Sequence, residues 1–277
     1  MRVGRTIGKN NMLTFFYRYS SPSGKIRGRQ VAKYLGAKRN PVDGYENDVC
    51  IYVKCVPPED FPEHSYIDVV DSKRLVNWAI EHPQIGVIAI SKTARTYLTQ
   101  KIKRDDIHLI PEHHCNFKHI LRTRKDVTTV GYMGARTGSE FPKDIKERFA
   151  EIGLEFKYTR KYKTRGDVVA FYNSIDIQVM DKYMRHRAIV RLKNPLKLAN
   201  AGSFGIPSVA YPETNFIEEF KDCFVEAETI DEMLRQCEKL KNDREFYKEM
   251  SDKTLSRSQG YHISKIAPLY EALCTAQ

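Results

Sequence analysis

The stretch KNPLKLANAGSFGIPSVA, Lys193 to Ala210, decides how this chain is read. A basic run leads into a helix that starts at Pro195, where proline is tolerated because the first helical N–H has no partner to lose. Ala199, Ala201, Gly202 and Ser203 place small side chains along that helix, which lets a bulky ligand or a neighbouring backbone come close. Gly205 ends it, and Ile206-Pro207 leads into an apolar strand. A helix start flanked by Arg187, Arg191 and Lys193 is an anion site in waiting. On composition alone, a small-residue helix packed against a sheet explains the stretch equally well.

Outward from it, strands and helices alternate. Apolar runs of strand type are NDVCIYVK (Asn47 to Lys54), YIDVVDS (Tyr66 to Ser72), GVIAIS (Gly86 to Ser91) and IHLIP (Ile107 to Pro111). Between them, GRQVAKYLGA is a helix stopped by Gly36, and KRLVNWAIEH gathers Leu75, Val76 and Ala79 on one face before Pro83. KTARTYLTQKI follows Ser91, a suitable N-cap. The polar, basic segment HILRTRKDVTTV (His119 to Val130) interrupts the rhythm, which resumes with the strand TVGYMGA. PKDIKERFAEIG is then a helix with Pro142 at its first turn and Gly153 at its end. The end is helical: TIDEMLRQCEKLKND and REFYKEMSDKTLSRSQ are amphipathic, and SKIAPLYEALC closes the chain. Strands alternating with helices of this length predict parallel, doubly wound sheets. Two such domains would place a cleft between them, with ligands at the carboxyl ends of the strands.

The chain has 277 residues, enough for two domains, and a net charge of +11. That balance points to an anionic partner: nucleic acid, an acidic membrane surface or a phosphorylated substrate. The six cysteines are scattered with no CxxC pair, which argues against zinc or a disulfide framework and for reduced thiols in a cytoplasm. No apolar run follows Arg2, Arg5 and Lys9 as a signal peptide requires, and none reaches a membrane span.

The Lys193–Ala210 stretch resembles the nucleotide-sugar signature of family 4 retaining glycosyltransferases of GT-B fold. Lys197, Leu198, Ala201, Gly205, Pro207 and Val209 fall into step with it. TVGYMGART resembles the strand and loop that open that family's second domain, IHLIPEHHCNF the strand that closes its first, and VIAISKTARTYL its serine-ended strand and the helix after it. In order and spacing the resemblance runs from about residue 47 onward. It implies an α/β chain of two Rossmann-like doubly wound domains: residues 1–122 on the acceptor side, 123–258 binding the nucleotide sugar, and a final helix, 259–277, packing back on the first.

The resemblance also implies an activity: retaining transfer of a sugar, UDP-hexose foremost, without a metal or other cofactor. Positive groups must then stabilise the departing diphosphate. By resemblance these are Arg136 and Lys143, with Lys197 the better aligned and Lys193 nearby. Asn200 stands where the family has a ribose-binding glutamate; an amide still bonds hydroxyls, but without charge assistance. Asp71 stands where the family has an acceptor-side histidine; as a carboxylate it could orient a sugar hydroxyl, and Asp71 or Ser72 would equally cap the following helix. The loop SPSGKIRGRQ resembles the glycine-containing loop beside donor phosphates and acceptor, with Gly24, Lys25 and Arg27 as its candidates. His113 and His114 are candidates for contact with the sugar or acceptor, His114 as a catalytic group. No ligand spacing for a metal is present.

The acceptor is the least legible part. The basic stretches TRKYKTRGD and DKYMRHRAIVRLK, with Arg187 and Arg191, fit a phosphate backbone or lipid headgroups. The reading favours DNA carrying hydroxymethylated bases, such as 5-hydroxymethylcytosine modified by phage-type enzymes, because no amphipathic insertion helix stands out. A lipid-linked or cell-surface glycan is the alternative. A basic nucleic-acid-binding protein without activity explains the charge but not the ordered motifs.

Overall fold

The computed structural model describes residues 12–134, 141–160, 162–181 and 190–275. They form two compact units. The first comprises the chain up to Ile90, Arg95–Ile110 and the end from Ile266; the second comprises Ser91–Ala94 and Pro111–Lys265.

The first unit is built on a six-stranded parallel sheet: β1 (Leu13–Tyr17), β2 (Lys38–Arg39), β3 (Val49–Val53), β4 (Ser65–Asp68), β5 (Gly86–Ala89) and β6 (Ile107–Leu109), in the order β2-β1-β3-β4-β5-β6. β3 is buried along its whole length, which is why VCIYV reads as a continuous apolar run instead of an alternation. The first helix is wound as a π-helix over Gly24–Gln30 and continues as α1 (Val31–Leu35), ended by Gly36 at φ 69°. It therefore starts a turn earlier than its apolar residues predict. α2 (Lys73–Glu81) is capped by Ser72, whose hydroxyl accepts the Leu75 N–H at 3.4 Å. α3 (Lys92–Ile102) begins where Ser91 Oγ accepts the Ala94 N–H at 3.0 Å.

The second unit has a five-stranded parallel sheet: β7 (Thr129–Met133), β8 (Glu155–Thr159), β9 (Ile177–Met180), β10 (Ser208–Ala210) and β11 (Val225–Glu226), in the order β11-β10-β9-β7-β8. Around it lie α4 (Ile145–Glu151), α5 (Arg165–Tyr172), α6 (Leu196–Gly202), α7 (Thr214–Phe220), α8 (Ile230–Asn242) and α9 (Arg244–Ser258). Thr164 with Asp167, and Thr229 with Glu232, form capping boxes that start α5 and α8. Pro142 does not open α4: it sits in the preceding turn, where its carbonyl accepts the Ile145 N–H, and Asp144 takes the cap position. The two-residue strands β2 and β11 are too short to leave an apolar pattern in the sequence.

α10 (Ile263–Glu271) ends the chain. Its Tyr270 packs edge-on against Phe15 of β1, 5.3 Å between ring centres, and donates its hydroxyl to Asp68 Oδ2 at 3.3 Å. Among the described residues, no helix is long and apolar enough to cross a membrane.

In both sheets the strand order reverses once, between β1 and β3 and between β7 and β9. Open parallel sheets bind ligands beyond the carboxyl ends of their strands at such reversals.

Candidate functional site

At the carboxyl end of β7, Lys197 of α6 reaches across to Tyr132. Its ammonium donates to the phenol oxygen at 3.1 Å and sits 4.4 Å from the ring centre. Burial pushes the Lys197 ammonium down to about 8, against the carboxylate of Glu213, which favours the charged form. Gly134 leaves room for this arrangement: a β-carbon there would stand 2.7 Å from the Tyr132 oxygen and 3.2 Å from Lys197 Nζ. Gln178, fully buried in β9, holds the helix in place. It donates to the Lys197 carbonyl at 3.0 Å and to Ser208 Oγ at 3.2 Å, and accepts from Tyr172 at 2.8 Å. The result is a cationic group fixed on an aromatic platform beside the strand-order reversal. A partly desolvated cation there is suited to an anionic group such as a diphosphate.

A second set of contacts laces α6 to residues 112–122. The Asn194 side chain donates to Glu112 and its oxygen accepts the Leu196 N–H at 3.1 Å, starting the helix. Asn200 Oδ1 accepts the Cys115 N–H at 2.8 Å. Asn116 donates to the Ser203 carbonyl at 2.8 Å, and the Arg122 N–H to the Phe204 carbonyl at 2.9 Å. Asn200 Oδ1 is thus engaged with the backbone and helps clamp α6 to residues 112–122. His114 is likewise buried. Its Nδ1 accepts the Asn116 N–H at 3.2 Å, so the ring proton resides on Nε2, and burial holds the imidazole down to about 3. A neutral ring with Nδ1 occupied is not arranged as a general base. His113 lies beside it, with Nδ1 3.1 Å from the His114 carbonyl.

Lys193 is half-buried, its carbonyl accepting Ser91 Oγ at 2.7 Å. Arg191 is exposed. Lys143 is exposed and lines a cavity of about 190 Å3 together with Tyr158, whose ring stacks on Tyr132 at 6.0 Å. Arg136 and Arg187 lie outside the described residues.

In the first unit, Gly24 and Gly28 serve packing. A β-carbon on Gly24 would stand 2.6 Å from the Arg18 carbonyl, and one on Gly28 2.5 Å from the Tyr17 ring. Lys25 is half-buried. Arg27 is a correction: it is 1 % exposed and belongs to the core, not to a phosphate-facing loop. Its Nε donates to Asp68 Oδ2 at 2.6 Å and its Nη2 to the Ile110 carbonyl at 2.9 Å. A mid-loop arginine in a sequence signals charge, not direction, and here the π-helical turn aims it inward.

Asp71 stands at the carboxyl edge of this sheet, paired with Lys54 at 2.5 Å. Lys54 and Val70 both have left-handed backbones, φ 51° and 50°. A β-branched residue in that region costs about 1–3 kcal/mol. The tight turn closed by the Ser72 N–H on the Val69 carbonyl sets Asp71 opposite Lys54. Lys54, Gln178, Gly134 and Glu213 were not singled out from the sequence. Gln178 had a signal, a lone amide in an otherwise apolar buried strand; the others had none.

No protein-family model and no curated protein sequence matches this chain. Solved structures do. HepE of Anabaena, in complex with UDP and glucose, superposes with a TM-score of 0.66 at 10% identity, over 97% of this chain and 100% of HepE. A glycosyltransferase of Rickettsia africae gives 0.58 at 9%, over 97% and 100%. TarM of S. aureus gives 0.58 at 14%, over 83% of this chain and 55% of its own, so the chain spans little more than half of TarM. The architecture is therefore α/β with two parallel-sheet, Rossmann-like domains: the GT-B fold of glycosyltransferases. Within that fold the structural likeness is to TarM, HepE and GtfA, the last a pneumococcal O-GlcNAc transferase solved with UDP and GlcNAc.

Proposed function

We propose that this protein is a retaining glycosyltransferase that takes a hexose from UDP-hexose and places it on a hydroxyl of an anionic acceptor. The observation that carries the reading is Lys197, held on Tyr132 beside Glu213 at the strand-order reversal of the second unit. HepE structures hold UDP with glucose, and UDP-glucose, in the same fold. Lys197 would bind the diphosphate and stabilise the charge that develops on it as the glycosidic bond breaks. Arg136 and Lys143 are proposed to complete the phosphate site, with Lys193 at its margin. Asp71, set by Lys54, is the proposed acceptor-side carboxylate. The chain's net charge of +11 supports a polyanionic acceptor, with DNA bearing hydroxymethylated bases placed ahead of a glycan.

Two measurements test this. UDP and UDP-hexoses should raise the melting temperature of the wild type and leave Lys197→Ala unmoved, while both proteins melt alike without ligand. No shift with any uridine or other nucleotide sugar would refute the donor reading. Mass spectrometry of hydroxymethylated DNA incubated with each donor tests the acceptor; an unchanged mass throughout, with donor binding intact, moves the acceptor to a glycan.

A further inference from the structure

The basic interruption HILRTRKDVTTV is not used by the donor site. In the second unit it leads to the amino end of β7, the edge opposite Lys197. There, residues 124–128 and the junction of α8 and α9 enclose a groove of about 910 Å3. Five cations line it (Arg124, Lys125, Lys241, Arg244 and Lys248), against two carboxylates, Asp126 and Glu245.

The charge is only partly cancelled: Lys248 is paired with Asp252 at 2.8 Å. Asp176 is fully buried and takes both Arg122 and Arg124, each Nε at 2.8 Å, while also accepting the Thr128 and Thr129 N–H groups at 2.9 Å. One carboxylate against two guanidinium groups leaves a positive charge over. Lys241 donates to the Ile152 carbonyl, which bonds its ammonium without neutralising it. Lys125 and Arg244 are exposed, and neither has a hydrogen-bond or ion-pair partner among the described residues. Tyr247 lines the same groove, its hydroxyl fixed on the Asp176 carbonyl at 2.7 Å and its ring covered on one face by Arg122 at 5.1 Å.

We propose that this groove is a docking site for a nucleic-acid strand, held by its phosphates. The cations come from separate segments and are spread over a space far larger than one phosphate, which suits a chain of charges. The groove is concave, which a flat bilayer surface does not enter. Cations beside a rigid aromatic ring are the combination by which single strands are bound without regard to sequence. The site is separate from the donor site, so it stands or falls independently of the proposed transfer.

The test is fluorescence anisotropy with a short labelled oligonucleotide, comparing wild type with Lys125→Glu/Arg244→Glu. Both residues are exposed and without partners among the described residues, so the variant should melt as wild type and keep its UDP-induced shift. Wild-type affinity should fall linearly with the logarithm of salt concentration. The double variant should bind at least about tenfold more weakly, with a salt slope smaller by about two. Equal affinity in the two proteins, or no binding at low salt, overturns the proposal. Preference for phosphatidylserine vesicles or a sulfated glycan over the oligonucleotide, lost in the same variant, overturns it in favour of that partner. Loss of the UDP shift in wild type would count against the donor reading and not against the groove.

Discussion

Lys197 carries a charge that depends on pH near neutrality. Its ammonium is pushed down to about 8 by burial, so it is protonated at pH 7 and loses its proton as pH rises through the next unit. A bound diphosphate favours the charged form and moves that midpoint upward. UDP affinity, measured by calorimetry, should therefore be flat up to about pH 8 and then weaken by up to about tenfold per pH unit. Lys197→Arg should abolish that dependence, because a guanidinium stays charged throughout. Lys197→Met should weaken UDP by about 10- to 100-fold at pH 7, the worth of a hydrogen bond to a charged group. The signature stretch pointed to this residue, but what makes it distinctive, the Tyr132 platform and the Gly134 opening, comes from a strand some sixty positions earlier.

At the scale of elements, Gly202 of α6 turns out to face another helix. A β-carbon on Gly202 would lie 2.2 Å from Ser258 Oγ, 2.5 Å from Thr254 Oγ1 and 2.7 Å from the Thr254 carbonyl of α9. Hydroxyls can rotate away; a helical carbonyl cannot. Gly202→Ala should cost about 1–3 kcal/mol in urea unfolding, and adding Ser258→Ala should recover only part of it. The open question of the sequence reading, ligand or packing partner, is thus answered by packing for Gly202. The order of strands and helices was legible because each central strand is an apolar run bounded by polar breaks. The edges β2 and β11 were not, because two residues carry no period.

Over the whole molecule, buried titratable groups set the response to acid. His114 is neutral when folded and takes up a proton only near pH 3, whereas the unfolded chain takes one up near 6.5. The unfolded state binds more protons between those values, so stability falls as pH drops through that window. Melting temperatures from pH 7 to pH 4 should decline, and less steeply in His114→Asn, whose oxygen can still accept the Asn116 N–H. Asp176 acts in the same direction lower down: its hydrogen bonds and guanidinium partners hold its carboxyl below the usual range despite burial, so its contribution is lost as pH falls through the carboxylate region. Asp176→Asn leaves Arg122 and Arg124 without their counter-charge and should cost about 3–5 kcal/mol in urea unfolding at pH 7.

The sequence by itself determined the fold class, since period and apolar runs are local properties that a parallel α/β sheet imposes on each strand and helix in turn. It also determined which stretch to examine for a donor site. Only the tertiary structure decided the direction of the side chains. Arg27 turned into the core to Asp68, Asn200 closed on the Cys115 backbone, and Lys197 met an aromatic ring from another strand. A charged residue reads the same in a sequence whether it faces solvent, a partner or a ligand. What separates those cases is desolvation and the partner at hydrogen-bond distance, and both come from residues far away in the chain.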